Sequence, residues 1–134
     1  MKIFLVFFAL VLSLACLYSF TTMPAADPWV VPDKYLKMKN PVPADATSVK
    51  AGKVLYEKHC QSCHGKTGLG DGSKAAQLET EPGDFSSKAF KIQPDGALFY
   101  KTQTGRDDMP SFKNKIPDEE DIWHVVNYMR TFCK

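Results

Sequence analysis

The stretch YEKHCQSCHGKTGLGDG, residues Tyr56 to Gly72, contains two cysteines separated by two residues and a histidine directly after the second. A Cys-x-x-Cys pair is found in zinc sites and in redox-active disulfides, and Cys-x-x-Cys-His is found where haem is attached covalently. These three kinds of site need different partners elsewhere in the chain. The remaining sequence therefore decides between them.

The composition is that of one ordinary globular domain, with 134 residues, 44% of them hydrophobic and 24% charged. Lys+Arg number 17 against Asp+Glu 15, which gives a formal net charge of +2. This balance is too even for the electropositive surface that nucleic-acid binding requires. We therefore expect a single domain that binds no nucleic acid.

Apolar residues recur at helical spacing in three stretches. The first, residues 47–60, should run into Cys60. The second, residues 95–104, is short and is ended by Gly105, and the third, residues 117–132, has an acidic first turn and the most regular apolar stripe. The segments between them are rich in Gly and Pro, and none shows strand alternation. The sequence therefore predicts an all-α fold of three to four short helices with long loops.

A zinc site or a redox disulfide finds little support in the rest of the sequence. Zinc needs four ligands, usually with a second pair at a defined spacing, and the remaining candidates, His59, His124 and Cys133, form no such pair. A thioredoxin-like pair opens a helix after a strand, whereas this motif is predicted to close a helix in an all-α chain. Covalent haem is the interpretation that remains.

Haem attachment uses every residue of the motif. Cys60 and Cys63 have the spacing that forms thioether bonds with the two haem vinyl groups, and His64 can supply one axial nitrogen to the iron. A flat apolar macrocycle would also fill the core of a domain that is small for stabilisation by burial alone. The sequence therefore predicts one covalently attached haem c.

Met109 is the predicted second axial ligand. The chain has five methionines, and three of them precede the predicted domain. Met129 lies on the apolar stripe of the last helix, where a core position is the simpler interpretation. Met109 instead lies in the loop GRDDMPSF and is followed by a proline, and a methionine thioether is an established axial ligand of haem. His59 and His124 are the alternatives, for a bis-histidine site.

Residues 1–20 are predicted to be a signal peptide or membrane anchor. Lys2 precedes an uncharged, mostly apolar run over residues 3–20, as in export signals. Three outcomes are open: cleavage, attachment of a lipid at Cys16 in the lipoprotein-like sequence SLAC, or retention as a marginal transmembrane helix. All three place the rest of the chain outside the cytoplasm.

Residues 21–46 contain five prolines and are predicted to form a semi-extended tether, because proline fixes φ and removes backbone donors. The alternative is that Trp29–Val31 and Tyr35–Met38 pack onto the domain as an N-terminal strap. A tryptophan in a free linker would leave a large apolar surface in water, which favours this alternative. The haem domain is then predicted to span residues 47–134.

The segments CQSCHG, DGALFYKTQTG, GRDDMPSF and IWHVVNYMRTF, in this order, resemble class I cytochromes c over residues 47–134. The resemblance implies the class I cytochrome c fold around the haem, in which the helix that ends at Cys60 crosses the last helix near Gly52. It also implies that His64 and Met109 bind the iron from opposite faces. The acidic pair before Met109 and the proline-rich extension depart from the family pattern.

The resemblance implies an electron-transfer protein and not an enzyme, because a haem with both axial positions filled by the protein cannot bind a substrate. The expected location is the periplasmic side of the cytoplasmic membrane. The expected partners are a quinol-oxidising complex and a terminal oxidase, with no small-molecule substrate. Two alternatives stay open, namely a fixed haem subunit of a larger respiratory complex and an open-site haem sensor or enzyme in which Met109 dissociates. Candidate docking lysines are Lys66, Lys74, Lys113 and Lys115.

Overall fold

The computed structural model describes residues 29–133 and contains six α-helices and one short 3-10 helix within them. These are α1 (Asp33–Leu36), α2 (Ala46–His59), α3 (Gln61–His64), a 3-10 turn (Ala75–Gln77), α4 (Lys88–Lys91), α5 (Asp95–Thr104) and α6 (Glu119–Arg130).

The predicted all-α class is confirmed. Over residues 29–133 there is no β-strand, and one isolated bridge joins Arg106 to Met109. The structure has more helices than the predicted three to four because α1, α3 and α4 are single turns of four residues each. In the described part of the chain, no helix is long and apolar enough to cross a membrane. The predicted signal or anchor over 1–20, and the tether up to residue 28, lie outside the described residues.

Helices α2 and α6 cross in direct contact and form the framework of the domain. Helix α2 begins where the Asp45 side chain accepts a hydrogen bond from the Ser48 N–H at 2.8 Å. A Cβ atom placed on Gly52 would clash with the backbone carbonyl of His124 in α6. The two helix backbones therefore approach as closely as glycine allows, and the crossing lies where the family resemblance implies.

The apolar stripe of α6 supplies much of the core. Val125 and Val126 are fully buried, and Trp123 stacks on Phe99 of α5 with ring centroids 4.3 Å apart. Met129 is also buried in this cluster, which agrees with its interpretation as a core residue. The cluster also contains aromatic residues from the loops, which are described with the site below.

Residues 31–45, called the strap below, lie against the domain. The Tyr35 ring is 4.7 Å from the Tyr100 ring of α5, and Gly96 of α5 has no room for a Cβ beside the Tyr35 carbonyl. Helix α2 begins at Ala46, the last residue of the predicted tether. The packing of Tyr35 corresponds to the strap interpretation, and a single helical turn, α1, forms within the proline-rich segment.

One buried amide joins the strap to the helix crossing. Asn127 of α6 accepts a hydrogen bond from the Asn40 side chain at 2.8 Å and donates to the Ser48 hydroxyl at 2.8 Å and to the Val42 carbonyl at 3.2 Å. The Ser48 hydroxyl also lies 2.8 Å from His124 Nδ1. Three separate segments of the chain therefore meet at Asn127.

Arg130 fastens the end of α6 to the region between α4 and α5. Its guanidinium pairs with Asp95 at 2.7 Å and donates to the backbone carbonyls of Lys91 and Gln93. It also lies over the Phe90 ring, 5.7 Å from the centroid. This set of contacts fixes Phe90, which packs towards the residues of the candidate site.

Candidate functional site

The Cys-x-x-Cys-His motif consists of Cys60, which joins α2 to α3, and of α3 itself. Cys60 follows α2, with its N–H donating to the Tyr56 carbonyl at 2.8 Å, and the His64 N–H donates to the Cys60 carbonyl at 3.0 Å. Cys60 and Cys63 are three residues apart on this helical turn and so share a face. Cys60 is buried and Cys63 is half-buried, and both carry free thiols. The motif therefore presents two thiols and an imidazole from one short segment.

No zinc-like cluster accompanies this segment. Between residues 29 and 133, no three His, Cys, Asp or Glu side chains come together in a way that could hold a metal ion. Cys133, one of the leftover candidates, is half-buried, and its thiol lies 3.5 Å from the Phe85 carbonyl.

The His64 side chain has the features of a neutral histidine that could bind a metal ion. Its Nδ1 atom is buried and has no partner with normal hydrogen-bond geometry, a state that costs about 1–3 kcal/mol when nothing compensates. Burial lowers the pKa of His64 to about 4, and the Pro82 backbone opposes this shift. The ring is therefore neutral at physiological pH, and a neutral imidazole has the lone pair that iron binds.

Aromatic rings hold the His64 ring in place. The Phe85 ring lies 4.6 Å from the His64 ring in a tilted contact. It lies 4.5 Å from the Phe90 ring in a stacked contact. Sequence analysis missed both phenylalanines, because they lie in the loop between two helical patterns. Their buried rings belong to the main core cluster, so the site is built on rigid packing.

The segment after His64 folds back on the motif. The buried Tyr56 hydroxyl donates to the Gly65 carbonyl at 2.8 Å, and the Gly70 N–H donates to the His64 carbonyl at 2.9 Å. Gly65 has a φ of +82°, and a Cβ there would clash with the Asp71 carboxylate. Gly65 therefore allows the close return of the GLGDG loop, which fixes the backbone on both sides of His64.

Met109 lies in a tight turn after α5. Gly105 follows the last residue of α5, as predicted, with a φ of +68°. Arg106 and Met109 then exchange two backbone hydrogen bonds, at 2.8 and 2.9 Å, across a turn in which Asp107 has a φ of +50°. The Met109 side chain is half-buried against the core cluster. The two backbone hydrogen bonds between Arg106 and Met109 therefore fix the turn that carries the Met109 thioether.

The acidic pair before Met109 has structural partners. Asp108 accepts a hydrogen bond from the Thr80 N–H at 2.8 Å, and Asp107 pairs with Arg106 at 3.1 Å. The first contact joins the Met109 turn to the loop that leads to Pro82 and Phe85. Two loops that are far apart in sequence are thus fastened together beside the candidate ligands.

The rival histidines are engaged elsewhere. His124 contacts Ser48 at the crossing of α2 and α6, and its Nε2 lies 3.9 Å from Glu120. The His59 ring lies 6.1 Å from the Phe112 ring, and burial lowers the pKa of His59. These contacts give both residues a role in packing.

Residues 47–129 match the model of the family described as cytochrome c oxidase, cbb3-type, subunit III. The chain belongs to this family of c-type cytochrome domains. Membership implies electron transfer through a covalently bound haem c, and it confirms the class I cytochrome c resemblance. No curated protein matches the sequence.

Among solved structures, this cytochrome domain is similar to a chain of the reducing HAO-like protein complex of Kuenenia stuttgartiensis. The two are 25% identical with a TM-score of 0.65, and the match covers 81% of this chain and 52% of that chain. The chain therefore spans about half the length of the relative it matches.

The residues of the cytochrome motif fit a covalent haem. Two free thiols on one helical turn suit the two thioether bonds, and a neutral, half-buried imidazole suits axial ligation. The unpartnered Nδ1 of His64 is the kind of buried polar atom that requires an explanation. The candidate docking residues, Lys66, Lys74, Lys113 and Lys115, are all exposed.

Replacing Asp108 by alanine is expected to loosen the Met109 turn. The change removes the acceptor of the Thr80 N–H, and an exposed hydrogen bond to a carboxylate contributes about 1 kcal/mol. Hydrogen exchange of the Thr80 amide should become faster. Asp107→Asn removes a neighbouring charge while keeping a side chain that tolerates positive φ, and it should leave this amide unchanged; a faster rate in both variants would contradict the assignment.

Proposed function

We propose that this chain is a mono-haem electron carrier in which Cys60 and Cys63 hold the haem and His64 and Met109 are the axial ligands. The observation that carries the proposal is the half-buried His64 ring, with a lowered pKa and a buried Nδ1 atom that has no normal hydrogen-bond partner, beside two free thiols on one helical turn. When bound, the haem supplies a one-electron couple between ferric and ferrous iron.

The protein residues hold and tune this couple. Phe85 and the Tyr56–Gly65 hydrogen bond fix the His64 ring and its backbone. The Met109 thioether favours the ferrous state, and burial disfavours the extra positive charge of the ferric state. Both effects raise the reduction potential relative to a bis-histidine site. The hydrogen-bonded Arg106–Met109 turn would keep the Met109 sulfur in the same position when the iron changes between the ferric and ferrous states.

With both axial positions held by protein side chains, the chemistry is outer-sphere electron transfer. No coordination site is left for a substrate, so the proposed role is that of a carrier and not of an enzyme. Exposed lysines such as Lys66 and Lys113 supply charge for a brief encounter with a redox partner.

The proposed location is the periplasmic side of the cytoplasmic membrane. The positively charged start and the apolar run over residues 3–20 support export, and either a lipid at Cys16 or a retained helix would keep the domain at the membrane. There it would pass electrons from a quinol-oxidising complex to a terminal oxidase.

A fixed haem subunit of a larger complex is the second candidate. The matching family is described as a subunit of an oxidase, and the similar solved structure belongs to a protein complex. Purification from membranes in mild detergent separates the two candidates. A shuttle migrates as a single haem protein, whereas a subunit co-migrates in a fixed ratio with larger haem proteins.

Met109→Ala is expected to abolish the weak far-red absorption band of the ferric protein, because that band reports the bond from the methionine sulfur to iron. The optical spectrum of the haem-loaded protein, recorded in both redox states, is the measurement. Met129→Leu is the matched control, since Met129 is a core residue and this exchange conserves volume. A far-red band that survives in Met109→Ala would exclude Met109 as the ligand and shift support to a histidine or an open site.

A further inference from the structure

The outer side of the strap is basic and apolar. Lys34, Lys37 and Lys39 are all exposed, and Leu36 is 43% exposed. Met38, whose Cβ lies beside Gly96 of α5, is still 36% exposed. Asp33 is the one acidic residue between residues 31 and 44. Lysines alternating with exposed apolar side chains form a surface of the kind that binds the interface of an anionic membrane.

The strap is held from its inner side, so this surface is part of the fold. The Tyr35 ring packs against the Phe99 and Tyr100 rings, at 6.4 and 4.7 Å. The Lys34 side chain is exposed, and its ammonium lies 4.7 Å from the centroid of the same tyrosine ring without being buried by the domain. The Asn40 side chain donates to Asn127. The exposed lysines therefore have a fixed backbone beneath them, and docking would not have to order a free linker.

The position of the strap in the chain brings it close to the proposed membrane attachment. The apolar run ends at residue 20, and the strap starts at residue 31. Even fully extended, the ten residues 21–30 span at most about 36 Å, and the fourteen residues 17–30 that follow Cys16 span at most about 50 Å. A chain attached through Cys16 or through residues 3–20 would therefore keep the strap within reach of the bilayer surface.

We propose that the strap docks on an anionic phospholipid surface. Lys34, Lys37 and Lys39 contact the phosphate headgroups, and Leu36 and Met38 enter the interface. This inference rests on the membrane attachment in the proposed function, and it adds a second contact that sets how the domain lies on the membrane. Charge complementarity with anionic lipid and the adjacent apolar run favour a membrane over a protein partner.

Docking through the strap would orient the electron-transfer site. Gly96, next to the strap, lies in the first turn of α5, whereas the Met109 turn follows the last residue of α5. The ten residues of α5 span about 15 Å. The strap contacts α5 between Gly96 and Tyr100, so the docked strap would leave the Met109 turn, beyond the last residue of α5, for redox partners.

The test compares vesicles of phosphatidylcholine with vesicles that also contain phosphatidylglycerol, using the full-length, haem-loaded protein. Flotation measures binding, and hydroxyl-radical oxidation of Leu36 and Met38 measures whether lipid covers them. We expect oxidation of both residues to be several-fold slower on the anionic vesicles, with the effect lost at high salt. Val54, which is 60% exposed on α2, should be oxidised at the same rate on both.

The variant Lys34→Gln/Lys37→Gln/Lys39→Gln should lose the lipid-dependent protection of Met38. The control Lys50→Gln/Lys53→Gln/Lys58→Gln removes the same charge from the exposed side of α2 and should keep it. Both variants should keep the wild-type haem spectrum, which shows that the fold is intact.

Each flotation outcome decides the question. Slower oxidation of Leu36 and Met38 on the anionic vesicles than on the neutral ones supports docking, whether the protein floats with both kinds or with the anionic kind alone. Flotation with neither kind, equal protection on both, or protection that survives in the strap variant overturns it and leaves the strap surface to a protein partner. A far-red band that survives in Met109→Ala would count against Met109 as a ligand but would leave the lipid-docking result unchanged. The two proposals therefore fail separately.

Discussion

Serine at both Cys60 and Cys63 is expected to remove all covalently bound haem. A hydroxyl group does not form the thioether bond with a haem vinyl group, so any haem that still binds is lost when the protein is denatured. Haem staining of the protein after denaturing gel electrophoresis is the measurement, and the expected change is from full staining to none. Each single variant should retain one thioether bond and a weaker signal.

Cys133→Ser is the matched control for this experiment. Cys133 is also a free, partly buried thiol in the described part of the chain, but it lies near the end of α6 and contacts the Phe85 carbonyl. Its replacement should leave haem staining unchanged. Staining that persists in the double variant at Cys60 and Cys63, or that disappears in Cys133→Ser, would contradict the proposed attachment.

Gly52→Ala is expected to lower the free energy of unfolding by about 2 kcal/mol, the middle of the range for overpacking a core. Helix propensity alone predicts the opposite sign, a gain of about 1 kcal/mol for alanine over glycine. The packing effect should win because the added Cβ would meet the His124 carbonyl. That oxygen belongs to the backbone of α6 and cannot rotate away as a flexible side chain can.

Val54→Ala provides the control for Gly52→Ala, since it also raises helix propensity in α2 but at a position that is 60% exposed. It should leave the stability unchanged or slightly higher. Denaturant unfolding of the haem-loaded proteins measures both changes. An increase in stability for Gly52→Ala would show that the helices do not cross in backbone contact.

The features that sequence analysis predicted correctly depend on local patterns. Helix α5 ends before Gly105, and α6 carries the apolar stripe that buries Val125 and Val126. Both follow from spacing within a few residues. The Cys-x-x-Cys-His motif is likewise local, so the haem was inferred without knowledge of the fold.

The features that were missed are contacts between residues far apart in the sequence. Asp108 was noted as a departure from the family pattern, and its hydrogen bond to Thr80 spans 28 residues. Phe85 packs on His64 from a loop with no periodicity, so no local signal marked it. The Asn40–Asn127 bond spans 87 residues, and an asparagine in a proline-rich segment gives no indication of a partner in the last helix.

The amide of Asn127 makes the strap and the helix crossing one cooperative unit. Because the amide bonds to Asn40, Val42 and Ser48, detachment of the strap would break its hydrogen bonds to Asn40 and Val42 at the contact of α2 with α6. By thermodynamic linkage, anything that binds the attached strap also favours the intact crossing. A ligand that binds the outer surface of the strap would therefore raise the melting temperature of the whole cytochrome domain.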